Sequence, residues 1–359
     1  MKNSTRTILA ATALCVLSPA IFAGTEPGYS HESYLPLANA GWMSSLPDSL
    51  KLSYMSLPGT HDTMAAIGGD SVETQSLNLP MQLEAGIRVL DIRIYFHSNT
   101  FDLSHGVVQQ PGNFTLVLNT VTSFLSQNPR ETVFMRIRDE RDGSNTRTFE
   151  SVFDDYWRAY GSYFWQNQAA ETNPTLGELR GKIVVLQNFT ANASYGLSYS
   201  SFNAQDNYTL NSNWDLYQKW TDVKGQLDLA NLVGALCVLP NVCVTPLPGN
   251  ENKLYINYLS GATGSFPYFV ASGKSNPATG APLLATGKTT PGWSDWPDFP
   301  RVDCLGTLCT IDFEGTDNLT YSWLTETGRK RVGIVMADFP GAGLIQQIIN
   351  LNHTAVKGF

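Results

Sequence analysis

Two histidines, with an acid and an arginine between them, are the groups of this chain best suited to chemistry. His61 lies in Met55-Ser56-Leu57-Pro58-Gly59-Thr60-His61-Asp62, and His105 in Leu103-Ser104-His105-Gly106. Between them runs Gly86-Ile87-Arg88-Val89-Leu90-Asp91-Ile92-Arg93. One imidazole can take a proton while the other gives one, because a reference pKa of about 6.5 makes both forms accessible near neutrality. A guanidinium set between them can neutralise the charge that builds on phosphorus. The combination implies cleavage of a phosphodiester. His31, His97 and His353 have no such setting and read as ordinary.

The elements that must position these groups are short and alternate along the chain. Apolar runs at 52–55, 89–94, 132–137, 183–186, 254–258 and 332–337 read as strands. Helical patterns separate them at 78–85, 114–127 and 146–156. Gly-Lys-Ile-Val-Val-Leu-Gln and Arg-Val-Gly-Ile-Val-Met-Ala are apolar almost throughout, as strands buried on both faces should be. Strands separated by helices imply a parallel sheet, and the length suits a closed one: a TIM-type (β/α)8 barrel, distorted or irregular, of α/β class. In such a barrel, polar residues at C-terminal strand ends face the active site. His61 and Asp62 follow the first strand. Asp91 and Arg93 are two apart in the second and share a face. Arg136 and Arg138 repeat that spacing in the third, and Asp338 closes the last.

Residues 24–359 read as a single catalytic domain with a loop-rich insertion at about 190–320; a separate small domain there is the alternative. That stretch is rich in Asn, Ser, Gly, Pro and aromatics. Phe266, Tyr268, Phe269, Trp293 and Trp296 within it suit either an interfacial rim or core packing. It also holds Cys237, Cys243, Cys304 and Cys309, whose close spacing favours two local disulfides. Three pairings are formally possible, and a zinc site built from the four thiolates is the competing reading.

Residues 1–23 carry Lys2 and Arg6, an apolar run and Ala20-Ile21-Phe22-Ala23, which reads as a secretory signal peptide. The expectation is a secreted, extracellular protein. No other stretch approaches the roughly 18 apolar residues of a membrane span. Without Lys2 and Arg6 the formal net charge goes from -8 to about -10, which disfavours nucleic acid as a partner. Asn-x-Ser/Thr sequons at Asn113, Asn188, Asn192, Asn207, Asn318 and Asn352 are glycosylation candidates if the chain is exported.

Several ordered segments carry a more specific resemblance. They are Ser-Leu-Pro-Gly-Thr-His-Asp at 56–62, Gly-Ile-Arg-Val-Leu-Asp-Ile-Arg at 86–93 and Leu-Ser-His-Gly at 103–106. They continue with Asn-Pro-Arg-Glu-Thr-Val-Phe-Met-Arg-Ile-Arg-Asp-Glu at 128–140 and Gly-Lys-Ile-Val-Val-Leu at 181–186. On these the chain resembles the X-domain of phosphatidylinositol-specific phospholipase C, in particular the small, metal-independent type of secreted bacterial enzymes. The likeness covers roughly 45–190, with a weaker tail at 331–340.

The resemblance implies roles residue by residue. His61 would be the general base toward the inositol 2-hydroxyl, and His105 the general acid toward the leaving diacylglycerol. Arg93 would grip the phosphate oxygens, at a position where metal-dependent relatives place an acidic calcium ligand. No metal and no cofactor are therefore expected. Asp62 would assist leaving-group protonation with His105, Asp91 would hold Arg93, and Asp338 would orient His61. Arg138 and Glu140 would contact inositol hydroxyls. Gln187-Asn188 departs from the basic residue that secreted relatives place after the fourth strand. The implied substrate is phosphatidylinositol or a related phospholipid, GPI anchors included, met by a monomer in transient contact with a membrane surface. The products would be diacylglycerol and inositol 1,2-cyclic phosphate. Two alternatives stay open: a phosphodiesterase of the same barrel acting on another diester, and a non-catalytic lipid- or sugar-binding protein.

Overall fold

The structure is a computed structural model describing residues 26–232, 252–274, 298–306 and 308–356, with the backbone of strands Leu236–Leu239, Val242–Val244 and Thr289–Pro291. The 1–23 segment and the side chains of Trp293, Trp296, Cys237 and Cys243 lie outside the described residues.

Eight parallel strands curl into an incomplete barrel. They are β1 (Leu57–Thr60), β2 (Val89–His97), β5 (Val133–Asp142), β6 (Ile183–Asn188), β7 (Leu197–Ser198) and β8 (Asn203–Gln205), with strands Tyr255–Tyr258 and Ile334–Ala337. Their order is β7, β6, β5, β2, β1, Ile334–Ala337, Tyr255–Tyr258, β8. β7 and β8 are not paired, so the barrel is open at that seam. An antiparallel hairpin, β3 (Thr100–His105) and β4 (Val108–Asn113), extends from β2. Stretch 190–320 thus supplies three barrel strands as well as its long loops.

Local sequence explains the flanking helices. Leu79–Ala85 is capped by Asn78, whose side chain accepts from Met81 N, and ends at Gly86 in the left-handed region at φ 112°. Phe114–Gln127 is capped by Asn113, and Phe149–Ala159 by Thr148, so the third helix starts three residues later than the apolar pattern suggests. The 52–55 run is not a strand. Leu52–Tyr54 forms a 3-10 turn with Leu52 and Met55 in the core, and the strand begins at Leu57. A four-residue apolar run cannot distinguish a buried turn from a strand.

Strand alternation divides the core in two. Ile334 and Met336 join one apolar cluster with Leu57, Val89 and Ile256; Val335 and Ala337 join another, formed with helices Leu216–Asn231, Pro267–Ser272, Thr316–Thr325 and Ala342–Val356. Tyr268 and Phe269 are buried in this second cluster and Phe266 packs on it, so these three belong to the core and not to a rim. Cys304 and Cys309 form a disulfide. Cys237 and Cys243 are register partners in their two-stranded ribbon. Among the described residues no helix is long and apolar enough to cross a membrane.

Burial corrects two glycosylation candidates. Asn352 is 1% exposed and its Nδ2 donates to Ser56 O at 2.8 Å; Asn318 is 9% exposed and its amide is bound to Glu26 and to Glu314 O. Neither amide can carry a glycan in the folded chain. Asn113, Asn192 and Asn207 are exposed, and Asn188 is half-buried.

Arg88, from the same motif as Arg93, is structural. Its guanidinium is fully buried beside Glu131, with Nε to Oε2 at 3.0 Å, and it donates to the carbonyls of Leu83, Ile87, Asn39 and Ala40. Removing one partner of such a pair strands a buried charge. Glu131→Gln should lose roughly 3–5 kcal/mol of stability, measured as a lower urea midpoint at unchanged m-value. An unchanged midpoint would show that the backbone carbonyls alone neutralise the guanidinium.

Candidate active site

The first and last barrel strands pair, which brings distant parts of the sequence together. Pairing of β1 with Ile334–Ala337 puts His61 beside Asp338, and His61 N donates to Ala337 O at 3.0 Å. Gly59 permits this approach: a Cβ there would lie 2.5 Å from Met336 Sδ and 2.9 Å from Val89 Cβ. His61 Nδ1 donates to Asp338 Oδ1 at 2.8 Å, while Arg93 Nη2 lies 2.7 Å from His61 Nε2. A guanidinium can only donate, so Nε2 must be the acceptor. The resting imidazole is therefore neutral, with its free lone pair held by Arg93.

Arg93 is gripped on several sides. Its Nε and Nη2 both donate to Asp91 Oδ2 at 3.2 Å, its Nε is 3.4 Å from Asp62 Oδ2, and its Nη1 is 3.4 Å from Glu140 Oε1. The β2–β5 register sets Asp91 opposite Arg136 and Arg93 opposite Arg138. Arg136 Nη1 donates to the other Asp91 oxygen at 3.2 Å and to Tyr258 OH at 2.8 Å. Its Nε donates to Asn188 Oδ1 at 2.9 Å, and Tyr199 stacks over its guanidinium. Burial works to raise the Asp91 carboxyl, but Arg136 and then Arg93 hold it well below the usual range. Arg138, on the outer edge, pairs with Glu140 at 3.0 Å.

His105 ends β3 on the far side of the cavity, its ring centroid 6.4 Å from that of His61. Its Nδ1 donates to Val72 O at 2.7 Å and lies 3.4 Å from Asp62 Oδ2. That leaves Nε2 as the nitrogen free to serve a substrate. Asp62 itself sits in the left-handed region at φ 42°, with its N–H on Asp91 Oδ2 at 3.1 Å. Burial pushes the Asp62 carboxyl up to about 7 against the pull of Arg93 and His61. Burial, reinforced by Arg93, lowers His105. The two shifts run in opposite directions, the acid raised and the imidazole lowered.

His61, Arg93, His105, Arg138 and Glu140 all line one cavity of about 190 Å³. Asp206, Tyr208 and Ser260 complete its wall. A wider groove of about 520 Å³ runs along residues 187–200 but has no titratable side chain in its lining, so the chemistry belongs to the smaller one. The structure brings together every site residue expected from sequence: His61, Asp62, Asp91, Arg93, His105, Arg138, Glu140 and Asp338. It adds Tyr258, which the rule for C-terminal strand ends could have found, since 254–258 reads as a strand. Asp206 and Tyr208 follow a three-residue strand in irregular sequence, and nothing local marks them. The three carboxylates gathered around Arg93 are met by guanidinium groups: Asp91 by Arg93 and Arg136, Asp62 by Arg93, Glu140 by Arg93 and Arg138, while Asp206 on the wall has no such pair among the described residues. Such a set is a poor cage for a divalent cation, which wants many free oxygens.

Comparison with known proteins follows the same residues. Residues 60–189 match the family described as phosphatidylinositol-specific phospholipase C, X domain. The chain is 31% identical over 244 residues to a 1-phosphatidylinositol phosphodiesterase of Listeria monocytogenes, covering 63% of this chain and 69% of that one. It is 26% identical over 324 residues to a protein of the same name from Staphylococcus aureus, covering 82% and 92%. Among solved structures, the phosphatidylinositol-specific phospholipase C of Listeria monocytogenes superposes with a TM-score of 0.60 at 24% identity, over 88% of this chain and 99% of that one. At that identity the superposition speaks to the fold alone.

The raised Asp62 has a consequence for stability. Its folded value, about 7, exceeds its unfolded value of 3.8, so the proton it binds stabilises the fold below the unfolded value. That contribution is lost as pH rises through about 7. Asp62→Asn tolerates the same left-handed backbone and cannot ionise. Its melting temperature should exceed the parent's at pH 8, with the gap closing toward pH 4. Parallel melting curves across that range would contradict the shift.

Proposed function

Because the chain belongs to the phosphatidylinositol-specific phospholipase C X-domain family, we propose that it cleaves phosphatidylinositol as a metal-independent phosphodiester lyase. His61 Nε2 takes the proton of the inositol 2-hydroxyl, whose oxygen bonds to phosphorus. The bond from phosphorus to the glycerol oxygen breaks, and Asp62 and His105 deliver a proton to that oxygen. Diacylglycerol leaves, and inositol 1,2-cyclic phosphate remains. Hydrolysis of the cyclic ester by water, with the two histidines exchanging roles, is the slower second step.

The observation that carries this reading is the position of Arg93. Its Nη2 rests on the lone pair of the base at 2.7 Å, while its Nε faces Asp62. A phosphate entering the cavity offers that guanidinium stronger, charge-assisted acceptors and thereby frees His61 Nε2. Fixed positive charge at this point favours the five-coordinate phosphorus over the starting diester, because more negative charge gathers on the non-bridging oxygens. Asp338 stabilises the imidazolium that forms. Arg138 and Glu140, with Asp206 and Tyr208 opposite, supply donors and acceptors suited to a polyol. The export reading of residues 1–23 would place this activity outside the cell, on membrane surfaces that the protein meets transiently as a monomer.

Phosphorus NMR of phosphatidylinositol vesicles treated with the protein and a chelator tests the reading. A cyclic 1,2-phosphate resonance should appear and should be abolished in His61→Ala. Its absence, with turnover of other diesters, would support the same barrel acting on a different phosphodiester. Absence of turnover on any diester would return the chain to a binding role.

A further inference from the structure

Behind the base stands a second acid. Asp338 uses Oδ1 to hold His61, and its other oxygen, Oδ2, is buried with no hydrogen-bond partner. Asp317, in the first turn of helix Thr316–Thr325, is fully buried, and neither of its carboxylate oxygens has a hydrogen-bond partner. The start of that helix is docked at the same end of the barrel. Thr316 Oγ1 donates to Leu259 O at 2.9 Å, and Leu259 N donates to Met336 O, two residues before Asp338, at 2.9 Å. Residues 28–30 join the two segments: Gly28 N donates to Asn318 Oδ1 at 3.1 Å, and Ser30 N to Phe339 O at 2.9 Å.

Among the described residues, Asp338 is the charged group whose field reaches Asp317, and the Tyr29 hydroxyl is a second titratable neighbour. The buried Lys219 acts on Asp338, but among the described residues no lysine or arginine compensates Asp317. A carboxyl in a dry interior, with a second carboxylate near it and no cation of its own, holds its proton. Asp338 already accepts the proton of His61 Nδ1 on Oδ1, so the extra proton belongs on Asp317. Burial, with the charge of Asp338 behind it, pushes Asp317 well above the usual carboxylate range. A neutral acid is a donor in need of an acceptor, and Asp338 Oδ2 is an acceptor in need of a donor.

We propose that Asp317 is a positioning residue for the base: a protonated carboxylic acid whose O–H serves the outer oxygen of Asp338, directly or through one buried water. The inference rests on His61 acting as the base. A hydrogen bond to Oδ2 draws negative charge away from the oxygen that faces His61, which moderates the pull on the imidazole proton. His61 then stays neutral at rest while Asp338 still fixes its tautomer and orientation.

Two spectra test this without substrate, so a wrong substrate assignment would leave them unchanged. In infrared difference spectra at pH 9, where Asp62 has lost its proton, the carbonyl stretch of a buried protonated carboxyl should be present in the parent and lost in Asp317→Asn. In NMR, with His61 identified by its loss in His61→Gln, the imidazole of Asp317→Asn should titrate as in the parent, because the amide still donates. Asp317→Leu removes the donor and should raise the His61 midpoint by roughly one unit, about tenfold in proton affinity. If turnover is established, the leucine variant should lose kcat with KM unchanged. Absence of the infrared band in the parent, or a parent-like His61 titration in Asp317→Leu, would overturn the proposal. Should the leucine variant fail to fold, the infrared comparison with Asp317→Asn decides alone.

Discussion

The arrangement depends on one buried carboxylate. Asp91 sits on β2 with one oxygen on Arg136 and the other shared between Arg93 and the backbone N–H of Asp62. Without it, guanidinium groups on neighbouring strands would repel each other in a medium where charges are poorly screened. With it, Arg93 is held at a fixed point between two imidazoles. The loop after β1 is anchored by the same carboxylate, so the left-handed turn that aims Asp62 at Arg93 and His105 depends on Asp91 as well. A charged cluster of this kind costs desolvation that the fold must offset elsewhere. The continuous apolar packing of the strands beneath provides that offset.

The barrel's closure does the remaining positioning. His61 and Asp338 are 277 residues apart in sequence yet adjacent in space, because the first and last barrel strands pair in parallel register. The N-terminal segment at 27–31 is bound to the segment following Asp338, through Gly341 N to Gly28 O at 2.8 Å and the Tyr29–Pro340 bridge. The base and its orienting acid are thereby set by backbone pairing, and their geometry does not depend on a mobile loop. The opposite seam, between β7 and β8, is left unpaired, and it adjoins the groove along 187–200.

The legible part of the sequence was the part built from repeated local rules. Buried parallel strands announce themselves as apolar runs, and the two-residue spacing of Asp91/Arg93 and Arg136/Arg138 places each pair on one strand face. Those two rules set Arg93 and Arg138 at the cavity and Asp91 and Arg136 beside each other on adjoining strands. The illegible part is where local pattern and tertiary role separate. Residues 52–55 are apolar because they close the barrel's base, with no strand involved. Arg88 and Arg93 look alike in the motif, but only burial beside Glu131 reveals the first as structural. Tyr258 is an ordinary strand aromatic until Arg136 is seen on its hydroxyl. Asn318 and Asn352 satisfy a glycosylation sequon while their amides are spent in the core.

In the proposed lyase, Arg93 does the work of a metal ion. The most direct measurement is kcat/KM on phosphatidylinositol, in the presence of chelator, for the parent and for Arg93→Ala with and without added guanidinium ion below its unfolding range. The expected result is a loss of about 10²–10³-fold in the variant, partly restored by guanidinium in a saturable manner. A variant that keeps activity within a few-fold of the parent, or one restored by calcium and not by guanidinium, would contradict it.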